Sequence, residues 1–279
     1  MGRVTQRAPS TRVEVLEDGG VRTTSRPDSL AVEEPLEIRV AGRPVTVTMR
    51  TPGDDFDLTL GNLLTEGVVT KAVEVAQLMH CLDEDESGSP TYNVVDVTLA
   101  AGVVPDLDRT ARSGYQSSAC GVCGKTSVDA ITATSPYAVA DDPVRLSPAV
   151  VAGLPDRLRE RQKVFDRTGG LHAAGIFTTG GEPLVVREDV GRHNAVDKVV
   201  GWAGREGLLP LAGHVLVVSG RASFELVQKA VMAGIPALVA VSAPSSLAVQ
   251  LATESGLTLV GFTRPPRMTV YAGGYRLGL

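Results

Sequence analysis

From His172 to Tyr271 the chain alternates short apolar runs with stretches of helical period, and no other feature limits its fold so tightly. His172–Thr178 and Leu184–Val186 read as strands about a Gly180-Gly181 turn, and Asn194–Arg205 has helical spacing. Val215–Val218 is a strand, Ser223–Ala233 a helix closed by Gly234, and Leu238–Val241 a strand. Ser245–Ser255 is a helix closed by Gly256, Leu257–Val260 a strand, and Met268–Tyr271 a last short one. Strands made of Val and Leu throughout, with no polar alternation, are buried on both faces. In strand–helix–strand order they call for parallel βαβ units with helices covering the sheet. With 279 residues, 43% hydrophobic and 21% charged, the chain has the apolar material for such a core.

The first half is less regular. Residues 1–30 are polar and rich in Arg, Thr, Gly and Ser, which predicts a loose arm with one strand at Val13–Leu16. Leu36–Val40 and Pro44–Met49 alternate about Ala41-Gly42-Arg43 and read as a β-hairpin. Pro52-Gly53-Asp54-Asp55 breaks the chain, and Phe56, Leu60, Leu63 and Leu64 then recur at helical spacing up to Gly67. His80-Cys81 falls in what reads as an apolar helix, with Cys81 buried and inert. Tyr92–Leu99 alternates as a strand. Between Pro105 and Thr126 no period appears, and a long structureless stretch inside a domain points to function or disorder. Ser147-Pro148 opens a helix that runs to Phe165.

Composition excludes several classes. Lys and Arg number 27 against 32 Asp and Glu, a net charge of −5, which argues against broad coating of nucleic acid. Aromatics at 4% leave little for base-stacking platforms. No apolar run reaches the roughly 18 residues needed to cross a bilayer, and Met1–Gln6 lacks an apolar signal core. A cytoplasmic protein without a nucleic-acid or membrane partner is expected. Three cysteines, Cys81, Cys120 and Cys123, do not make a secreted disulfide scaffold.

Cys120-Gly121-Val122-Cys123 is the sharpest chemical feature. Its two sulfurs lie close enough in sequence to share a metal, form a disulfide, or let one thiol assist the other. Lys125 and a helix starting at Thr126 or Ser127 would favour a thiolate. A structural zinc needs two further ligands, and His80, His172, His193 and His214 form no pair at short spacing, so no metal is expected. A zinc deaminase would carry His-x-Glu ahead of Pro-Cys-x-x-Cys; here no His-x-Glu exists and Ala119 stands in place of the Pro. A thioredoxin-type pair would follow a clear strand, and this one sits in a Gly/Ser loop. A sulfur carrier that holds a persulfide remains.

Two strand-to-helix turns, Ser219-Gly220-Arg221-Ala222-Ser223 and Ser242–Ser246, offer backbone N–H groups, hydroxyls and one Arg to an anion. An ordinary Ser-capped turn is the plainer reading of either alone. Side by side at the carboxyl ends of parallel strands, they suit a ligand crevice. Phe262-Thr263-Arg264-Pro265-Pro266-Arg267 also follows a buried strand and puts two guanidiniums on a rigid turn. Arg187–Asn194, with Asp197 and Lys198 beyond it, reads equally as a solvated cap or a binding loop. His172 reads as a core histidine.

Cys120-Gly121-Val122-Cys123-Gly124 resembles the signature of the formate dehydrogenase accessory sulfurtransferases. Pro52–Asp55 with Leu63–Gly67, Thr168–Ala174, Arg187–Lys198, Ser219-Gly220-Arg221 and Gly261-Phe262 match in order, from about residue 30 to the C-terminus. The resemblance implies a homodimer with a cytidine-deaminase-like α/β fold, a mixed sheet and no deaminase zinc. It divides the chain into an arm at 1–30, a smaller α+β portion at 31–146 and a deaminase-like portion at 147–279. It also implies a sulfurtransferase that takes persulfide sulfur from a cysteine desulfurase onto Cys120, with Cys123 as partner thiol. The sulfur passes to the molybdenum bis(molybdopterin guanine dinucleotide) cofactor, which formate dehydrogenase requires. The family's cofactor segment maps onto Phe262–Arg267, and GDP is the expected fragment ligand. A dithiol–disulfide oxidoreductase and a cofactor-binding chaperone are the competing readings.

Overall fold

The computed structural model describes residues 3–81, 91–105 and 135–279; Cys120 and Cys123 lie outside them. It opens with β1 (Thr5–Val15) and β2 (Val21–Ala31), an antiparallel ribbon from Thr5 opposite Ala31 to Val15 opposite Val21. The sequence suggests a single strand at Val13–Leu16. The ribbon escapes that reading because nearly all its side chains are exposed, so no buried face imposes a hydrophobic alternation.

β3 (Glu34–Val40) and β4 (Arg43–Arg50) form the expected hairpin, followed by α1 (Asp55–Thr65). β5 (Val75–Cys81) and β6 (Val94–Leu99) complete a four-stranded sheet in the order β4-β3-β6-β5. His80 and Cys81 are therefore on a strand, not a helix, and Cys81 is half-buried. As an edge strand, β5 has solvent along one side, which blurs the period-2 signal. Leu36, Ile38, Val95 and Val97 from this sheet meet Leu58 and Leu63 of α1 in one apolar cluster.

The helix opened by Pro148 stops early. α2 (Pro148–Arg159) and α3 (Phe165–Thr168) are separate, and the hydroxyl of Ser147 makes no capping bond. β7 (His172–Phe177), β8 (Pro183–Asp189), α4 (Arg192–Arg205), β9 (Val215–Val218), α5 (Phe224–Met232), β10 (Ala237–Ala240), α6 (Ser246–Glu254), β11 (Thr258–Arg264) and β12 (Arg267–Ala272) follow the predicted alternation. Their six strands run in the order β12-β11-β10-β9-β7-β8. β9, β10 and β11 are parallel, while β7, β8 and β12 pair antiparallel, so the sheet is mixed. Side chains alternate across it. Ile176, Leu216, Val218 and Leu238 face α4, α5 and α6, whereas Phe177, Val215, Val217 and Val239 face α2. The two-sided burial explains why these strands carry no polar alternation.

α1 packs on α4 and joins the two sheets. The helices touch backbone to backbone, because a Cβ on Gly61 would overlap the carbonyl of Asp197 and one on Gly201 would overlap the carbonyl of Asp57. A methyl group at either place forces the helices apart. Gly61→Ala and Gly201→Ala should each cost several kcal/mol of unfolding free energy, at or beyond the usual overpacking range of about 1–3 kcal/mol. Gly153→Ala, in α2 with open space around it, should be neutral or gain up to about 1 kcal/mol from helix propensity. Urea denaturation of the three variants checks this ranking.

Candidate functional site

The parallel strands β9, β10 and β11 deliver their carboxyl ends to one edge, and the turns beyond them keep the ladder going. Ala222 bridges Pro244, Ser242 N donates to Gly220 O at 3.3 Å, and Phe262 N donates to Ser242 O at 3.2 Å. The three predicted anion segments are thus neighbours. They do not all face one space. A cavity of about 840 Å³ lies between this edge, the end of α2, α3 and the start of β7. Ser219, Thr263, Arg264 and Pro265 line it, while Gly220 lies against the ring of lining residue His172. Arg221, Phe262, Pro266 and Arg267 are not in its wall. Arg264 and Arg267 pair across the β11–β12 turn, so that segment is a hairpin tip.

The helix N-termini are partly committed. Ser245 accepts from Ala248 N and caps α6. Ser223 precedes α5 without a side-chain capping bond, and its Oγ lies 3.4 Å from His193 Nε2. Ser219 Oγ accepts from Ala173 N at 2.9 Å, which leaves its O–H free to donate. Thr263 is fully buried and its hydroxyl has no partner among the described residues. Phe262 holds a left-handed φ of 48° beside a register shift in β11, a conformation costly for a non-glycine residue.

Sequence reasoning misses the opposite wall. Leu158, Arg159, Gln162 and Phe165 come from α2, α3 and their connection, and no motif flags them. Arg159 lies over the Phe165 ring at 4.7 Å and pairs with Asp166. His172 lines the cavity rather than the core, with burial first and then Arg192 holding its pKa below the usual value.

The Arg187–Lys198 run turns inward. Lys198 Nζ lies 2.8 Å from Asp189 and donates to Thr51 O at 2.9 Å. Asn194 donates to Met49 O at 2.7 Å, and Arg187 reaches Asp57 at 3.0 Å. Asp197 accepts from Thr65 Oγ1 at 2.8 Å and lies 2.9 Å from Lys229 Nζ, which also reaches Glu66. Burial opposes the Lys229 charge, but Asp197 and Glu66 outweigh it and hold the ammonium above the ordinary lysine range. These groups join the two sheets and lie away from the cavity wall.

A sequence model of the FdhD/NarQ family matches residues 31–278. The sulfur carrier protein FdhD of Streptomyces avermitilis is 59% identical across 100% of this chain and 98% of that protein. The protein so named in Mycolicibacterium paratuberculosis is 58% identical over 91% of the chain and 93% of its own length. A crystal structure from Desulfotalea psychrophila, described as a formate dehydrogenase accessory protein, superposes with a TM-score of 0.73 at 23% identity. That likeness covers 97% of this chain and 99% of the other and carries the fold.

His193, second in α4, gives the fold an acid limit. Burial, followed by Arg192 and Lys229, pulls its pKa from 6.5 down to about 4. An unfolded chain takes up that proton first, so the stability is present above about pH 6.5 and lost as pH falls to about 4. The loss should reach about 3 kcal/mol, with a slope of up to about 1.4 kcal/mol per pH unit. Denaturation midpoints of wild type and His193→Gln across this window check it: the variant should show the shallower decline.

Proposed function

Because the chain belongs to the FdhD/NarQ family, we propose that it is a sulfur carrier, a sulfurtransferase serving formate dehydrogenase through a cysteine persulfide. The observation that carries the reading is the 59% identity, over the whole chain, to a protein named as a sulfur carrier. In this reading the thiolate of Cys120 attacks the outer sulfur of a persulfide on a cysteine desulfurase. One S–S bond forms as the other breaks, the desulfurase cysteine leaves as a thiolate, and Cys120 becomes Cys–S–SH. Cys123 is the partner thiol. The sulfur goes on to the molybdenum bis(molybdopterin guanine dinucleotide) cofactor as substrate, and a second copy of the chain completes a cytoplasmic homodimer. Among the described residues no helix is long and apolar enough to cross a membrane.

The cavity supports the cofactor part of this reading. It combines a free donor on Ser219 and a guanidinium on Arg264. A nucleotide end needs such hydrogen-bond partners and at least one cation for its phosphates.

Incubation with a desulfurase and cysteine should add the mass of one sulfur to Cys120. Cys120→Ala should abolish maturation of the dehydrogenase in cells, and Cys123→Ala should retain part of it. A Cys120–Cys123 disulfide without sulfur gain means an oxidoreductase instead, and neither product means a cofactor-binding chaperone. By calorimetry, Arg264→Ala should bind GDP about ten- to a hundredfold more weakly than wild type, the loss of one charge-assisted contact.

A further inference from the structure

The ribbon of β1 and β2 has no core of its own. Ala31 lies against Gly170 and Val4 against Gly53 at its base, and beyond that base most of its side chains are exposed. Strands of 11 residues at about 3.3 Å each make an arm about 36 Å long, and two strands alone in water are marginally stable. The two faces of the arm carry different chemistry. Residues opposite each other in an antiparallel pair project to the same side. Pro9 stands opposite Pro27, Thr11 opposite Ser25, Val13 opposite Thr23 and Val15 opposite Val21, so four successive pairs on one face hold no charge. Arg7, toward the base, is the first charge on that side. The pairs between them, Ala8 with Asp28, Ser10 with Arg26, Arg12 with Thr24 and Glu14 with Arg22, each hold at least one. Ser, Thr and Pro stand among the valines, so the order is one of charge and not of hydrophobic period.

The apolar part of the uncharged face lies at the far end of the arm. Val13, Val15 and Val21 are 58%, 74% and 61% exposed. The edges of the arm are closed to a further strand. Proline has no N–H to give the ladder, so the Pro9–Pro27 pair turns its nitrogens outward, and each outer edge lacks a donor there. Strand addition is thereby discouraged on both sides, and a face is left as the surface for contact.

The body holds a surface of the same kind. A groove of about 490 Å³ runs between the edge strand β5 and the α1–α4 pair, lined by Phe56, Leu60, Val73, Val75 and Leu78. Val73 on its rim is 79% exposed. Among the described residues its one ionic lining group is Arg205, which Asp57 already pairs at 2.7 Å. A charged ligand therefore finds no counter-charge there, and an uncharged face meets no unpaired charge. We propose that the arm of one copy lays Val13, Val15 and Val21 into this groove of a second copy, which returns its own arm in exchange. Such an exchange closes on a two-fold axis and covers both tips and both grooves at once. A different protein seated in the groove leaves the valines bare. The proposal rests on the homodimer reading above and adds the surfaces that build the dimer.

The test is sedimentation equilibrium of the full chain in wild type, Val15→Asp, Val73→Asp and Thr24→Asp, the last on the charged face of the arm. All three positions are exposed, so urea midpoints should stay at the wild-type value. The wild type should be a dimer. Val15→Asp and Val73→Asp should each raise its dissociation constant by about tenfold or more, since each buries an unpaired charge at the contact, and Thr24→Asp should change it by less than about twofold. The double variant Val15→Lys/Val73→Glu should dimerise more tightly than either single replacement. An unchanged dimer in both aspartate variants overturns the proposal, and so does a dimer weakened by Val15→Asp alone. A monomeric wild type overturns it together with the homodimer reading, whereas the sulfur-carrier reading is scored separately by the sulfur adduct on Cys120.

Discussion

The crossing of α1 over α4 is the contact on which the rest depends. Gly61 and Gly201 bring the two helix backbones together, and at that distance ordinary side chains do not fit between them. Charged groups then close the seam. Asp197, Lys229, Thr65 and Glu66 tie α4 to α5 and to the end of α1, while Asn194 ties it to Met49 of β4 and Lys198 to Asp189 and to Thr51 just beyond β4. Every one of these pairs is at least partly out of water, so each charge depends on its partner. Losing one member of a buried pair is far more costly than losing a surface bridge. The four-stranded sheet is held in place by this seam rather than by pairing with the six-stranded sheet.

The candidate site lies across the six-stranded sheet from that seam. α4, α5 and α6 cover one face, α2 covers the other, and the cavity opens where α2 ends. The Ser219 oxygen anchors β7 through Ala173 N, and its O–H has no partner among the described residues. Ser223, by contrast, is engaged with His193 on the helical face.

Most of the six-stranded unit was legible because two-sided burial writes continuous apolar strands and amphipathic helices with Gly stops. The ribbon was not, because a strand pair in water leaves no pattern. β5 was mistaken for a helix because an edge strand of Val75, Leu78, Met79 and Cys81 mimics helical spacing. Of the residues singled out by turn chemistry, Ser219, Thr263, Arg264 and Pro265 line the cavity, whereas Arg221 and Arg267 are not in its wall. Turn chemistry tells that a loop can hold an anion but not which way each side chain leaves it. Gln162 left no signal at all, since a buried amide between two short helices has no period and no motif. Asp189, Asn194, Asp197 and Lys198 read equally as a solvated cap or a binding loop, because surface caps, ligand sites and buried charge pairs draw on the same residue types.

The seam also sets the order of events when the chain is made. α1 and the strands around it are complete in sequence well before α4, whose Gly201 must come to rest on Asp57. At translation rates of about 5–20 residues per second the first half waits roughly five to twenty seconds for its partner helix. During that wait Asp57 lacks Arg187 and Arg205, and Thr65 lacks Asp197. The nascent four-stranded sheet thus carries a charged, glycine-notched helix that only the second half can cover, and docking over so long a sequence separation makes this a slow-folding topology.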